Sequence, residues 1–123
     1  MNSELTDYIQ DTGILDYCLQ KSGSYVDYPF GKDYITVKVK NPRKSIIFAE
    51  IFVLERELKL TFSTDEATAQ SLRNDYEGII VRGWHCPPVQ AKYKSTVAVY
   101  GVPNEILQRL IDMSYDRAVK KLK

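Results

Sequence analysis

Three residues that could do chemistry, Trp84, His85 and Cys86, stand side by side and are followed by Pro87-Pro88. They comprise the single Trp, the single His and one of the two Cys of the chain. A thiol beside an imidazole can form a nucleophile–base pair, but sequence neighbours need not face each other, and no third residue that would orient the imidazole is indicated. The Pro-Pro step predicts a stiff loop that Trp84 anchors to the core. We therefore expect a structural loop and a protein that is not an enzyme.

Basic side chains form the second group with chemical potential, and they favour phosphate binding. One set falls on a predicted β-hairpin, and the other lies in the protrusion around and after Trp84. The two sets are Lys38, Lys40, Arg43 and Lys44, and Arg82, Lys92 and Lys94 with the aromatic Tyr93 between the two lysines. Lysines can neutralise DNA phosphates, and an exposed aromatic ring such as Tyr93 can stack on a base or wedge into a groove. If both protrusions face the same way, they form two wings on double-stranded DNA.

The charge balance limits the strength of such binding. Lys and Arg number 17 against 16 Asp and Glu, a net charge of +1, whereas a DNA-binding domain usually has a pI above about 9. The charge is uneven, because residues 1–31 carry a net charge of −4 and residues 32–44 carry a net charge of +4. No recognition helix of the helix-turn-helix type is apparent, so we expect weak and largely non-specific binding to the phosphate backbone.

The sequence predicts a cytoplasmic, monomeric protein that does not enter membranes. Cys18 and Cys86 have no metal-ligand spacing with each other or with His85, and they fit reduced thiols. The N-terminus lacks a basic region followed by an apolar run, so we expect no secretory signal. The longest apolar run is far below the roughly 20 residues that a membrane span needs.

Hydrophobic periodicity predicts a single α+β domain over residues 1–123, with the element order α-β-β-β-α-β-α. Helices are expected at 3–21 with a break at Gly13, at 63–76 and at 103–123, and strands at 35–40, 45–54, 58–62 and 96–100. A further short strand at residues 79–81 stays open as an alternative. Short connections make the first three strands an antiparallel meander, with the helices packed on one side of the sheet. Ser63 is the expected cap of the middle helix, and residues 25–31 are expected to form a turn. Residues 1–11 are a candidate N-terminal appendage.

Several passages together resemble the YjbR/MmcQ family of small bacterial proteins. The matching residues are Asp16-Tyr17-Cys18-Leu19, Tyr28-Pro29-Phe30-Gly31, Leu72-Arg73-Asn74-Asp75-Tyr76, Ser95-Thr96-Val97, and Val102-Pro103 to Ser114-Tyr115. The resemblance implies a frataxin/CyaY-like fold, described as a double-wing DNA-binding fold, and a role in DNA binding. The family's Asn-Lys-x-His-Trp pattern is replaced here by Gln90-Ala91-Lys92-Tyr93-Lys94. No binding role therefore passes to Tyr93 by identity.

Two functions other than DNA binding stay open. Glu4, Asp7 and Asp11 share a face if residues 3–11 are helical, and such a carboxylate row could hold hard cations weakly, as in a frataxin-like metal or partner binder. A solvated acidic face near a helix N-terminus is the plainer explanation of that row. The nine Tyr residues could instead supply a protein–protein interface. The main expectation includes no cofactor and no resident metal.

Overall fold

A six-stranded antiparallel β-sheet and four α-helices make up the computed structural model, which describes residues 3–123. The strands are β1 (Ser24–Asp27), β2 (Tyr34–Lys40), β3 (Ser45–Leu54), β4 (Glu57–Ser63), β5 (Ile80–Arg82) and β6 (Lys94–Ala98). The helices are α1 (Ser3–Thr12), α2 (Ile14–Leu19), α3 (Glu66–Asp75) and α4 (Asn104–Leu122), with 3-10 turns at Pro88–Gln90 and Val99–Gly101. The strand order is β1-β2-β3-β4-β6-β5, and the α+β class expected from the sequence is confirmed.

Edge strand β1 is missing from the expected elements, whereas edge strand β5 overlaps the short strand that the sequence offers at residues 79–81. β1 forms within the segment expected to be a turn; its four residues are all half-buried, and it pairs only with β2. β5 is three residues long and pairs only with β6. A four-residue strand holds too few residues for an alternating pattern to stand out, so hydrophobic periodicity alone does not reveal β1.

The helices cover one face of the sheet because the long strands alternate. Ile35, Val37 and Val39 of β2 are buried on the covered face, and α4 lies across β3, β4 and β2. A bulge in β3 turns Phe48 onto that face as well, where its ring packs edge-on against Tyr115 of α4 at 5.2 Å. The opposite face carries no helix among the described elements, and we call it the open face.

The start of α3 differs from expectation, because Asp65 and not Ser63 is the N-cap. The Asp65 carboxylate accepts a hydrogen bond from the Thr68 backbone N–H at 2.8 Å, and that bond lowers the pKa of Asp65. Ser63 remains in β4, where it pairs with Lys94 of β6 and donates its backbone N–H to Ser114 Oγ at 2.9 Å. Aspartate caps a helix as well as serine does, so the sheet pairing of Ser63 decides the boundary.

The N-terminal helix is docked on the domain. The appendage expected at residues 1–11 can be compared only from residue 3, since residues 1–2 lie outside the described residues. Leu5 is fully buried, and the Tyr8 hydroxyl donates to the carbonyl oxygen of Arg56 at 2.7 Å. The described part of this segment is therefore a helix that packs on the rest of the domain. None of the described helices combines the length and the apolar character needed to cross a membrane.

Strand directions give the sheet two chemically different ends. β2 and α4 run toward the same end, where the side-chain amide of Asn41 donates to the carbonyl oxygen of Leu122 at 2.6 Å. β4 ends there and β6 begins there, since Ser63 pairs with Lys94. The opposite end holds the Glu55-Arg56 turn between β3 and β4 and its contact with α1. A turn, a loop and a helix terminus from distant parts of the sequence therefore meet at the first end.

Candidate nucleic-acid interface and adjoining cavity

The turn between β2 and β3 carries basic residues and is fastened to the end of α4. The Asn41 side-chain oxygen accepts hydrogen bonds from the backbone N–H groups of Arg43 at 2.8 Å and Lys44 at 2.9 Å, which is an Asx-type turn. The amide of the same side chain donates to Leu122. Arg43 and Lys44 are both exposed. The turn thus presents two cations beside the C-terminal turn of α4.

The loop before β6 carries the other basic residues and is fastened by α3. The guanidinium of Arg73 donates to the carbonyl oxygen of Ala91 at 2.6 Å, to the carbonyl oxygen of Lys94, and to Ser95 Oγ at 3.1 Å. A planar guanidinium spreads its donors over three nitrogens in a rigid fork and can reach three separate acceptors, whereas the three donors of a lysine ammonium all lie on one nitrogen. Arg73 therefore fixes the loop that carries Tyr93.

The last turns of α4 place further cations between the two basic segments. Arg117, Lys120 and Lys121 have the i, i+3, i+4 spacing that puts side chains on one helix face. The guanidinium carbon of Arg117 lies 4.7 Å from the centre of the Tyr93 ring. Its Nε is buried there without a hydrogen-bond partner among the described residues. Tyr93 is 37% exposed, so one part of its ring packs under Arg117 and another part is open to solvent.

The cations of the three elements are close enough to affect one another. The pKa of Lys121 is lowered, first by partial burial and then by the positive charges of Arg117, Lys94 and Lys44. We call this surface the basic end. It comprises Arg43, Lys44, Lys92, Lys94, Arg117, Lys120 and Lys121. Asp65 and Asp116 line a cleft together with Arg117, and they form the boundary of the basic end on the α3 side.

Three of the predicted cations lie outside the basic end. Lys38 is ion-paired with Asp27 of β1 at 2.9 Å, which offsets its charge. The ammonium of Lys40 lies 5.0 Å from the centre of the Tyr25 ring on the open face. Arg82 is on edge strand β5 and donates to a loop carbonyl oxygen four residues ahead at 3.1 Å. The structure thus brings together part of the predicted set and leaves these three to the side.

Sequence reasoning missed several residues that build the basic end. Arg117, Lys120 and Lys121 have a helix-face spacing that is visible in the sequence, but cations in the last turn of a helix are also explained by the helix dipole alone. Arg73 lies in the Leu72–Tyr76 passage, and nothing in that passage indicates that its guanidinium donates hydrogen bonds to three acceptors in the loop before β6. Asn41 precedes a proline in a predicted turn, which indicates the turn but not its bond to α4.

The Trp84 loop covers part of the open face and borders a cavity of about 500 Å³ that is open to solvent on one side. The Trp84 ring stacks on Phe52 with 4.9 Å between centroids, and its backbone N–H donates to Thr96 Oγ1 at 3.0 Å. These contacts confirm that Trp84 anchors the loop. Gly83 permits the close approach of loop and strand, since a Cβ there would lie 2.9 Å from the Cβ of Lys94.

A buried carboxylate lies in the wall of this cavity. Glu50 of β3 is 8% exposed; its Oε1 accepts a hydrogen bond from the Tyr34 hydroxyl at 3.1 Å, and its Oε2 lies 3.7 Å from the ammonium of Lys94. Burial, and then the charge of Glu50, raise the pKa of Tyr34. Phe30 lies at the same cavity with 65% exposure and packs edge-on against Tyr34 at 5.5 Å.

His85 and Cys86 both belong to the Trp84 loop. His85 adopts a left-handed conformation with φ of 53°, and its ring lies 4.1 Å from the Trp84 ring. Cys86 is half-buried.

Residues 3–123 contain no cluster of three or more His, Cys, Asp or Glu side chains that could hold a metal ion. In the acidic row of α1, Asp11 accepts a hydrogen bond from the Tyr100 hydroxyl at 2.5 Å.

Most residues that carry the family resemblance stabilise the fold. The Ser114 hydroxyl donates to the carbonyl oxygen of Phe48 at 2.6 Å and so ties α4 to the bulge of β3. The neighbouring Tyr115 donates its hydroxyl to the carbonyl oxygen of Ser22 at 2.5 Å. Phe30 is different, because most of its side chain is exposed to solvent. The Pro-Phe-Gly passage therefore presents an aromatic ring that the core does not use.

Comparison with known proteins matches the chain to one family model, and the solved structures that are similar to it include the two described below. The family model described as YjbR matches residues 19–117. A Deinococcus radiodurans protein with a DUF419 domain is similar, with a TM-score of 0.77 and 28% identity over 86% of this chain and 75% of that one. A Pseudomonas syringae protein has a TM-score of 0.70 at 17% identity, over 86% of this chain and 96% of that one, which shows the fold alone. No curated protein matches the chain.

Proposed function

Since the chain belongs to the YjbR family, we propose that it binds double-stranded DNA through contacts of the basic end with the phosphate backbone. The observation that supports this best is the convergence of cations from three elements: the β2–β3 turn, the loop before β6 and the end of α4. The pKa of Lys121 is lowered in part by its cationic neighbours, and a bound phosphate would reverse that effect.

The spacing of the two basic segments fits a DNA groove. β3 and β6 are separated by β4 alone, which puts them two strand spacings, or about 10 Å, apart. The major groove of B-DNA is about 12 Å wide. The turn with Lys44 and the loop with Lys92 can therefore contact phosphates on opposite sides of one groove, with the end of α4 between them.

The expected binding is weak and has little sequence preference. Phosphate contacts position a protein on DNA but carry no sequence information. The exposed part of the Tyr93 ring can pack against a sugar or a base edge, which adds contact area without a hydrogen-bond code. Asp65 and Asp116 limit the basic end on one side, so we expect about four phosphates to be neutralised.

A charge-reversal experiment locates the binding surface. Lys120→Glu with Lys121→Glu changes two exposed residues of the basic end, and each lost phosphate contact weakens binding; we expect an affinity at least about 10-fold lower at low salt. The matched control, Arg56→Glu with Arg109→Glu, changes the net charge equally at exposed positions outside the basic end. The assay is fluorescence anisotropy of a labelled 20-base-pair duplex. Equal weakening by both pairs of substitutions would contradict binding through the basic end.

A further inference from the structure

The cavity under the Trp84 loop has the properties of a small-ligand site on the open face, and it shares one residue, Lys94, with the basic end. Its volume of about 500 Å³ falls within the usual 300–1,000 Å³ of ligand pockets. We propose that it binds a planar heterocycle with a 2-amino-4-oxopyrimidine edge, the edge that guanine and pterins share. The residues that support this proposal are Phe30, Tyr34, Glu50, Trp84 and Lys94.

The aromatic part of the lining favours a flat ring. Tyr34 and Phe52 stack at 4.8 Å with 13° between their planes, and Trp84 stacks on Phe52 at 4.9 Å. Tyr34 and Trp84 also line the cavity, so a flat ligand can extend an existing stack. Phe30 offers a further ring that is 65% exposed and not buried by the core. Aromatic side chains arranged in this way bind bases by stacking, as in single-strand recognition.

The polar part of the lining selects the edge of the ring. A carboxylate offers about four lone-pair sites and acts only as an acceptor. Glu50 uses one bond from Tyr34 and a long contact of 3.7 Å with Lys94, which leaves acceptor capacity for two N–H groups. A 2-amino-4-oxopyrimidine presents an exocyclic N–H, a ring N–H and a carbonyl oxygen in a row. Glu50 can accept from the two N–H groups while the ammonium of Lys94 donates to the carbonyl oxygen.

The burial of Glu50 explains why such a ligand would gain affinity. A charged carboxylate that is 92% buried is costly unless its hydrogen bonds are complete, and bonds to a charged group are stronger than those between neutral groups. An adenine edge presents a ring-nitrogen acceptor and a C–H group where Glu50 needs two donors, and an amino group where Lys94 needs an acceptor. The same site should therefore reject adenosine, as sites with buried polar groups reject ligands that leave those groups unpaired.

Trp84 is the single Trp of the chain and lies in the cavity wall, so its fluorescence reports on this site. We expect guanosine, which carries no phosphate, to quench Trp84 fluorescence saturably in the micromolar range, with adenosine at least about 10-fold weaker. An unchanged spectrum up to 1 mM guanosine, or equal affinity for the two nucleosides, would overturn the proposal.

Two substitutions with a matched control test the residues. Phe30→Ala removes an exposed ring, and we expect about 10-fold weaker guanosine binding, whereas Tyr28→Ala removes an exposed ring two residues away that does not line the cavity and should leave binding unchanged. Glu50→Gln removes one of the two acceptors, and we expect roughly 10- to 100-fold weaker binding. Circular dichroism checks that the Glu50→Gln variant folds. If it does not fold, the comparison of Phe30→Ala with Tyr28→Ala tests the site without it. Equal effects of the Phe30 and Tyr28 substitutions would contradict the site.

The ligand source and the DNA proposal are distinguished by further measurements. A thymine decamer with one central guanine that binds more tightly than guanosine identifies an unpaired base of a strand as the source. Equal or weaker binding of the decamer identifies the free heterocycle. Lys120→Glu with Lys121→Glu should leave guanosine quenching unchanged, so the failure of DNA binding and the failure of this site are separately visible. Loss of guanosine quenching in that variant would contradict a separate cavity site.

Discussion

Replacing Arg73 with lysine tests how the loop before β6 is held, because the charge stays while the geometry is lost. The guanidinium donates to Ala91, Lys94 and Ser95, and a lysine ammonium at the end of a flexible chain can keep about one of these contacts. Hydrogen bonds from charged groups contribute about 1.5–3 kcal/mol each, and the lower end applies here because Arg73 is only half-buried. Two lost bonds then lower the free energy of unfolding by about 2–3 kcal/mol. For 123 residues this lowers the Tm by about 8–12 °C.

Urea denaturation followed by far-ultraviolet circular dichroism measures the free energy of unfolding. The control is Arg109→Lys, the same substitution at an exposed position of α4, which should change it by less than about 0.5 kcal/mol. DNA affinity of the Arg73→Lys variant should fall although its net charge is unchanged, since Tyr93 and Lys94 are then held less firmly. A variant as stable as the wild type would refute the role assigned to Arg73.

Three smaller predictions follow from the backbone and the thiols. Gly83→Ala places a Cβ 3.1 Å from the sulfur of Cys86 and should lower the free energy of unfolding by about 1–3 kcal/mol in urea titrations, whereas no loss would argue against the close approach. Glu55 and Arg56 have positive φ values of 52° and 67°, so Asn-Gly at these positions should raise the free energy of unfolding by about 0.5–1 kcal/mol; an unchanged melting curve would contradict this. Burial raises the pKa of the Cys18 thiol to about 12, so little thiolate forms at pH 8. Iodoacetamide should then label Cys86 long before Cys18, as detected by mass spectrometry. Equal labelling of the two thiols would contradict the burial of Cys18.

Regular elements with long periodic sequences were predicted well. The strand expected at residues 45–54 is β3, which spans Ser45–Leu54. The helix expected at 103–123 is α4, Asn104–Leu122, and it buries an apolar stripe that includes Leu107, Leu110 and Ile111. Both elements bury a continuous run or stripe against the sheet, and burial of that kind is visible as a pattern in the sequence itself.

The electrostatic partners of the candidate residues could not be predicted in this way. Lys38 pairs with Asp27 because β1 lies beside β2, and β1 gives no periodic signal. Glu50 is part of an almost continuous apolar run in β3. It contacts Lys94 only because the sheet places β6 two strands away from β3, with β4 between them. Arg117 meets Tyr93 only through the packing of α4 on the sheet. The partners of a charged side chain thus depend on the tertiary structure, whereas hydrophobic periodicity indicates only which face of a helix or strand is buried.

The salt dependence of DNA binding tests the central claim most directly. Anisotropy titrations of a labelled duplex between 20 and 200 mM salt give the slope of log affinity against log salt concentration, which is about −0.9 per neutralised phosphate. With about four phosphates in contact, we predict a slope of roughly −3 to −5 for the wild type, and a slope smaller in magnitude by about 2 for Lys120→Glu with Lys121→Glu. A slope near zero, or one that these substitutions leave unchanged, would contradict phosphate binding by the basic end.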